Sequence, residues 1–370
     1  MSRKPRKGGK GGSGRRKAAG GLTPLRRLTI MLGSAAATLG VVLALAFAWA
    51  LWSYQGPGPS TDGGETRVVM LRKGAGLTEI ASTLERAGAI RSKAMFAAAA
   101  QFTGAAKSLK AGEYEFKSRA SMASILRDIR EGRIVIHQVT IPEGMTSEAA
   151  VAALMAKADL TGDVAAPPEG SILPETYQYE RGEDRSAVLK RMMDAQNELL
   201  ALLWEKRQPG LPLKTPQEAV TLASIVEKET GIATERPQVA AVFVNRLRKG
   251  MRLESDPTII YGLNGGKPLG RGLRASELAR PNAYNTYQID GLPPTPIASP
   301  GRAALAAVLD PPASDHLFFV ADGSGGHVFA STYEEHLKNV AKWRAVEKRQ
   351  AEAAALQEKA AGLKSDAAGR

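Results

Sequence analysis

Two acids stand two residues apart at the end of TPQEAVTLASIVEKET, residues 215–230. The beginning of the stretch is a helix signal. Thr215 is a good N-cap, Pro216 fits the first helical position, Glu218 completes a capping box, and Gly231 is the expected stop. At about 100° per residue, Thr221, Ser224 and Lys228 share a narrow polar face, while Ala219, Val220, Leu222, Ala223, Ile225 and Val226 fill most of the rest. Glu227 projects between Val220 and Ala223, and Glu229 between Leu222 and Ile225, so both carboxylates break into the apolar arc. Burying a carboxylate is costly unless it is paired or protonated. Either these are arc-edge acids that reach water or an arginine, or one is a general acid that keeps its proton until substrate arrives.

Other catalytic chemistries find little support. The four histidines, His137, His316, His327 and His336, lie in different segments with no HExxH pair or carboxylate cluster beside them, so no metal site is expected. There is no G-x-S-x-G elbow for a serine nucleophile, and no phosphate-binding glycine loop follows a strand, so no cofactor is expected. Cysteine is absent, which removes disulfides and thiol chemistry. What remains is carboxylate chemistry. Downstream loops supply Asp256 in LESDPTIIYG and Tyr284, Asn285, Thr286 and Tyr287 in NAYNTYQIDGLPP. Aromatic rings face pyranose rings and amides read hydroxyls, although such loops also simply pack. Glycan cleavage and a packing or binding role both stay open on these residues alone. Under the first, Glu227 should line a concave site approached by the 251–290 loops.

These residues need elements to hold them. With 370 residues and 44% hydrophobic content, the chain can bury two or three folded units. The net charge of +13 is a property of one tail: residues 1–27 hold ten Lys or Arg and no acid, and 28–54 are uncharged. A nucleic-acid partner is therefore not expected. Residues 28–54 are long enough to span a bilayer core, with Trp49, Trp52 and Tyr54 at the outer end, and too long for the apolar region of a cleaved leader. The basic tail should stay in the cytoplasm and send the rest across the membrane. Residues 55–65 read as a Gly/Pro/Ser linker. Strand, glycine turn and helix then recur: 67–74 precedes a helix with Leu77, Ile80, Ala81 and Leu84, and 133–144 precedes a helix over 147–158, with VxLxKG echoed by VxIxEG. AGEYEF (111–116) and residues 121–132 supply a further strand and helix. Helices dominate 185–250, HLFFV and HVFAS form a hairpin, and Ser331 with Glu334 should cap a last helix. The fold class is α+β. The expected organisation is a tail (1–27), a transmembrane helix (28–54), a linker (55–65), a small α/β subdomain (66–160), a larger mixed α+β domain (161–346) and a charged Ala-rich tail (347–370).

The runs EGSILPETY (169–177), ASIVEKET (223–230), NRL with GMRLESDPTIIYG (245–262), AYNTY with GLPPTPIASPG (283–301) and FFVADGSGGHVF (318–329) resemble the YceG-like family of endolytic murein transglycosylases. The resemblance spans roughly residues 67–345. It implies a membrane anchor, a LysM-like subdomain and a catalytic domain on the outer side of the inner membrane. It also implies peptidoglycan strands as substrate and peptidoglycan synthases as companions. The family's catalytic acid is the first Glu of its V-E-K-E-T run, which carries onto Glu227. Motif position makes Glu229, Asn245, Asp256, Tyr261, Tyr284, Asn285, Thr286 and Tyr287 candidates for holding the glycan. A hydrolytic muramidase with Asp256 as second carboxylate, and a non-catalytic wall-binding protein, are the alternatives.

Overall fold

The uncharged run near the N-terminus forms one helix, α1 (Pro24–Gln55), whose residues Leu28–Gln55 are long and apolar enough to cross a membrane. The structure, a computed structural model, describes residue 1 and residues 24–61 and 64–368; residues 2–23 of the expected basic tail lie outside the described residues. The chain divides into two compact units, Met1–Ile134 and Val135–Arg370.

In the first unit, β1 (Thr66–Leu71) is followed by α2 (Leu77–Arg86), α3 (Lys93–Phe102), β2 (Gly112–Lys117) and α4 (Met122–Glu131). β1 and β2 pair antiparallel with Val69 opposite Tyr114. Helical spacing puts Ile80 and Leu84 of α2 and Ile125 and Ile129 of α4 on the buried side, where they meet Phe96 and Tyr114. The stretch expected to be a free linker is instead fastened to the end of β2. Gly58 N–H donates to Arg119 O (3.1 Å), Arg119 N–H to Pro59 O (3.0 Å) and Thr61 N–H to Ser118 Oγ (3.0 Å). A Cβ on Gly58 would lie 2.1 Å from Ala120 O, so this close approach needs glycine.

The second unit begins with β3 (His137–Thr140), α5 (Ser147–Met155), β4 (Thr176–Tyr179) and α6 (Arg185–Glu205). The second strand–helix repeat was expected to share a subdomain with the first, up to residue 160. Its strand pairs with β4 instead, Val139 opposite Tyr177, and Ile141 and Leu154 pack with Val188 and Met192. β1 and β2 already close a two-stranded sheet, so β3 takes its backbone partner from the downstream TYQY segment.

Four helices follow, α7 (Pro216–Glu229), α8 (Arg236–Arg248), α9 (Asp256–Asn264) and the short α10 (Ala275–Leu278), and then α11 (Arg302–Leu309). The core of the unit is built on α7, α8 and α11. Ala219, Leu222 and Ala223 of α7, Val239, Ala240 and Phe243 of α8, and Leu305 and Val308 of α11 are all buried in it. The expected hairpin is present as β5 (Phe318–Ala321) and β6 (His327–Ala330). The last helix, α12 (Tyr333–Ala368), runs through the segment expected to be a separate tail. Its capping box lies one residue later than expected: Glu335 N–H donates to Thr332 Oγ1 (3.2 Å) and Thr332 N–H to Glu335 Oε2 (3.3 Å).

Candidate active site

α7 starts as its sequence demands, with Thr215 Oγ1 accepting the Glu218 N–H at 3.2 Å. It ends differently from expectation. Thr230 takes an extended conformation at the C-cap, and Gly231 is not needed for a left-handed stop. The narrow polar face is also covered at Thr221 and Ser224, which are 4% and 0% exposed. Both hydroxyls bond back to the helix, Thr221 to Gln217 O (3.0 Å) and Ser224 to Thr221 O (2.7 Å). Ser224 Oγ also accepts the Ile297 N–H at 3.0 Å. A hydroxyl satisfied by its own turn can be buried cheaply, so α7 can be covered nearly all round.

Glu227 is buried, its side chain 3% exposed. Oε2 accepts the Gly301 N–H at 2.9 Å, and Oε1 accepts from Arg236 Nη2 at 2.9 Å. Two turns surround it. One carries Glu143 and Gly144, the other Ser299 to Gly301, and they are zipped together by Gly144 N–H to Ser299 O (3.0 Å) and Ser299 N–H to Met145 O (2.8 Å). Arg236 Nη2 also reaches Glu143 Oε2 at 3.1 Å. Burial pushes the Glu227 carboxyl above the ordinary glutamate range; the Gly301 N–H and Arg236 oppose this, and Glu143 adds to it. The 251–290 loops, expected beside Glu227, reach Glu229.

Glu229 accepts a hydrogen bond from Ser255 Oγ at the start of α9. Burial pushes its carboxyl up to about 7, with Ser255 opposing and Asp256 adding to the rise. Asp256 Oδ1 accepts from Tyr287 OH at 2.8 Å. Ser255 is placed by Thr286, whose Oγ1 accepts the Ser255 N–H at 2.9 Å and shares a hydrogen with Thr258 Oγ1 at 2.9 Å. The loop ahead of it is gripped by Arg246, which donates to Arg252 O and Leu253 O (both 3.0 Å), Glu254 Oε2 (2.9 Å) and Leu317 O (2.7 Å). That grip holds Glu254 at φ 53°, a left-handed conformation costly for a residue with a Cβ.

Two carboxylates with raised protonation ranges thus sit at one helix end, one against a cation and a backbone donor, the other against a hydroxyl. The YceG-like family model matches residues 69–342. The chain belongs to the YceG-like family. It is 29% identical over 315 residues to a Bacillus subtilis protein named endolytic murein transglycosylase, covering 76% of this chain and 86% of that one. A Streptococcus pneumoniae protein of the same name is 29% identical over 324 residues, covering 74% of this chain and 58% of that one. This YceG-like chain therefore spans little more than half the length of the pneumococcal relative. The crystal structure of a yceG-like protein from Listeria monocytogenes aligns with a TM-score of 0.46 at 26% identity, covering 74% of this chain and 98% of that one.

The remaining candidates of this YceG-like chain fall into two groups. Tyr261 and Tyr284 stack at a tilt with ring centroids 5.0 Å apart, and both are partly exposed. Tyr284 OH shares a hydrogen with Thr295 Oγ1 (2.8 Å), and Tyr261 OH donates to Glu169 Oε2 (3.4 Å). Asn285 and Thr286 are 0% exposed. The Asn285 amide donates to Leu278 O (3.0 Å) and Arg280 O (2.9 Å), bracing its loop. Asn245 donates to Ser314 O (2.8 Å) and His316 O (3.1 Å), away from both acids' partners. The residue that positions the site from that run is its neighbour Arg246. Sequence reasoning also missed Arg236, Glu143, Gly301, Ser255 and Glu169. Glu143 stood within the strand–turn echo, but was read there as part of a repeat.

Proposed function

We propose that this chain is a membrane-anchored endolytic lytic transglycosylase. It cleaves nascent peptidoglycan strands between N-acetylmuramic acid and N-acetylglucosamine, leaves 1,6-anhydro ends and so terminates strand elongation. Membership of the YceG-like family and the name carried by the relatives support the reaction class. The apolar α1 supports a membrane anchor. In this reading the anchor lies in the inner membrane, with the basic tail in the cytoplasm and the catalytic unit on the outer side, beside a peptidoglycan synthase. The strand–helix–helix–strand order of the first unit supports a LysM-like role in docking to the wall.

The observation that carries the mechanism is Glu227, an acid that breaks into the apolar arc of α7, is buried there, and is held by a backbone N–H and a cation. Protonated, it donates to the glycosidic oxygen as the bond breaks toward an oxocarbenium-like state. The resulting carboxylate takes the proton of the sugar's own C6 hydroxyl, which attacks C1 and closes the anhydro ring. The nucleophile is tethered to the reacting centre, so proximity supplies what a second carboxylate supplies for water. Asp256, Tyr287 and the Tyr261–Tyr284 pair position the strand.

One observation favours a second reading, with Glu229 as the acid: its carboxyl holds a proton up to about 7 and faces no cation at hydrogen-bonding distance among the described partners. Mass spectrometry of fragments released from purified glycan strands separates the two. Glu227→Gln should lose about 10²–10⁴-fold or more of anhydro-ended product, and Glu229→Gln less. Near-normal turnover by the Glu227 variant moves the acid to Glu229, and products lacking anhydro ends make the enzyme a hydrolase.

A further inference from the structure

A general acid held against an arginine poses a problem, because a cation at 2.9 Å favours the carboxylate that cannot donate. The arginine is not committed to Glu227. A single nitrogen, Arg236 Nη2, carries both the contact to Glu227 Oε1 (2.9 Å) and the contact to Glu143 Oε2 (3.1 Å). Arg236 Nε is buried and finds no acceptor among the described residues. This is not the paired-fork geometry that locks a guanidinium onto one carboxylate. The two acids also meet at Gly301. Its N–H serves Glu227 Oε2, while a Cβ placed on it would lie 2.0 Å from Glu143 Oε1. Gly301 has φ −76°, so it is glycine for the space that Glu143 occupies and not for backbone freedom.

We propose that Glu143 is a positioning residue for this reaction, drawing the Arg236 guanidinium away from Glu227 as Glu227 takes up a proton from solvent. One cation then serves two carboxylates in turn. With Glu227 ionised, Arg236 bridges the pair; with Glu227 protonated, Arg236 rests on Glu143 and the acid is free to turn its proton toward the glycosidic oxygen. When Glu227 has given up that proton, the arginine returns and holds the carboxylate that accepts from the C6 hydroxyl. The inference rests on Glu227 as the acid. The other charged neighbours do not substitute for Glu143. Lys228 donates to Gly144 O (3.3 Å), Arg302 pairs with Glu175 (3.3 Å), and Glu229 faces Ser255 on another side of α7.

The test is the pH profile of kcat/KM for release of anhydro-ended fragments, measured from about pH 5 to about pH 9 on the wild-type chain, Glu143→Gln and Gly301→Ala. Glu143→Gln leaves Arg236 to Glu227 alone, so Glu227 keeps its proton only at lower pH. The alkaline limb should move down by roughly one unit, a loss of about tenfold above the limb that is recovered on acidification. Gly301→Ala retains the N–H donor but displaces Glu143, and should move the limb in the same direction without changing any charge. Circular dichroism confirms folding; the Glu143 side chain is 41% exposed, so its amide needs no buried partner. An unmoved limb, or a loss equal at every pH, overturns the inference. Glu227→Gln is measured in parallel. If it is inactive while the Glu143→Gln limb stays put, the role of Glu143 alone is wrong; if it retains turnover, the acid assignment fails and this inference fails with it.

Discussion

Glu229 is the side chain whose charge should register most clearly in stability. Its carboxyl is pushed from 4.5 to about 7 by burial, so between those values the folded chain binds a proton that the unfolded chain has released. Stability must then fall as pH rises through that window, and the loss is complete above about pH 7. Glu229→Gln removes the loss. The variant should be more stable than wild type at pH 8 by on the order of 2 kcal/mol and nearly equal to it at pH 5. Urea unfolding of the second unit at the two pH values measures the difference, and Glu169 and Glu227, present in both chains, cancel. Equal pH dependence in the two proteins would mean that the carboxylate is well solvated. At this scale the two acids were legible because a carboxylate in an apolar arc is an anomaly within a single helix. Their partners were not. Gly301 lies 74 residues from Glu227, and Glu143 lies 93 from Arg236; no local period marks such pairs.

The elements were legible wherever one face had to be buried, as in α2 and α4, whose buried residues keep helical spacing. α7 shows where that logic stops. A periodicity argument sets Thr221 and Ser224 on a polar face, but both are buried, which their hydroxyls permit because each is satisfied within the helix. Ser224 does more than fill space. Its Oγ accepts the Ile297 N–H, and the same turn continues to the Gly301 N–H that holds Glu227. Ser224→Ala leaves a buried N–H without a partner and should cost about 1–3 kcal/mol. It should also lower kcat more than a remote cavity of equal cost, because the turn that delivers the Gly301 donor loses its anchor. Thermal unfolding compared with turnover at a temperature where both proteins are folded separates the effects. A stability loss with unchanged kcat would show that the turn is held by its bonds to Gly144 and Met145 alone.

On the scale of the whole molecule, the alternation of apolar, flexible and folded segments was readable, but the place where the first fold begins was not. Composition makes 55–65 a linker, since Gly, Pro and Ser can neither form a helix nor build a core. The structure gives the stretch a different use. Gly58, Pro59 and Thr61 bond to Ser118 and Arg119 at the end of β2, and the Glu65 carbonyl accepts the Ser118 N–H at 2.7 Å. Tyr54, at the end of α1, packs against the same core. Removing α1 should therefore be tolerated only if the cut leaves this strap in place. A chain beginning at Tyr54 should remain in solution without detergent and fold fully, because the long apolar run is gone while Tyr54 and the backbone bonds remain. A chain beginning at Thr66 loses the Gly58, Pro59, Thr61 and Glu65 contacts, and its first unit should be less stable by about 4 kcal/mol, at roughly 1 kcal/mol for each bond lost. Because the Glu227 and Glu229 networks lie wholly within the second unit, the shorter chain should retain cleavage of purified strands at temperatures where that unit is folded. Urea titration of the two chains, followed by far-UV circular dichroism, reads the difference. If both chains unfold at the same denaturant concentration, the strap contributes nothing and the stretch behaves as the linker its composition describes.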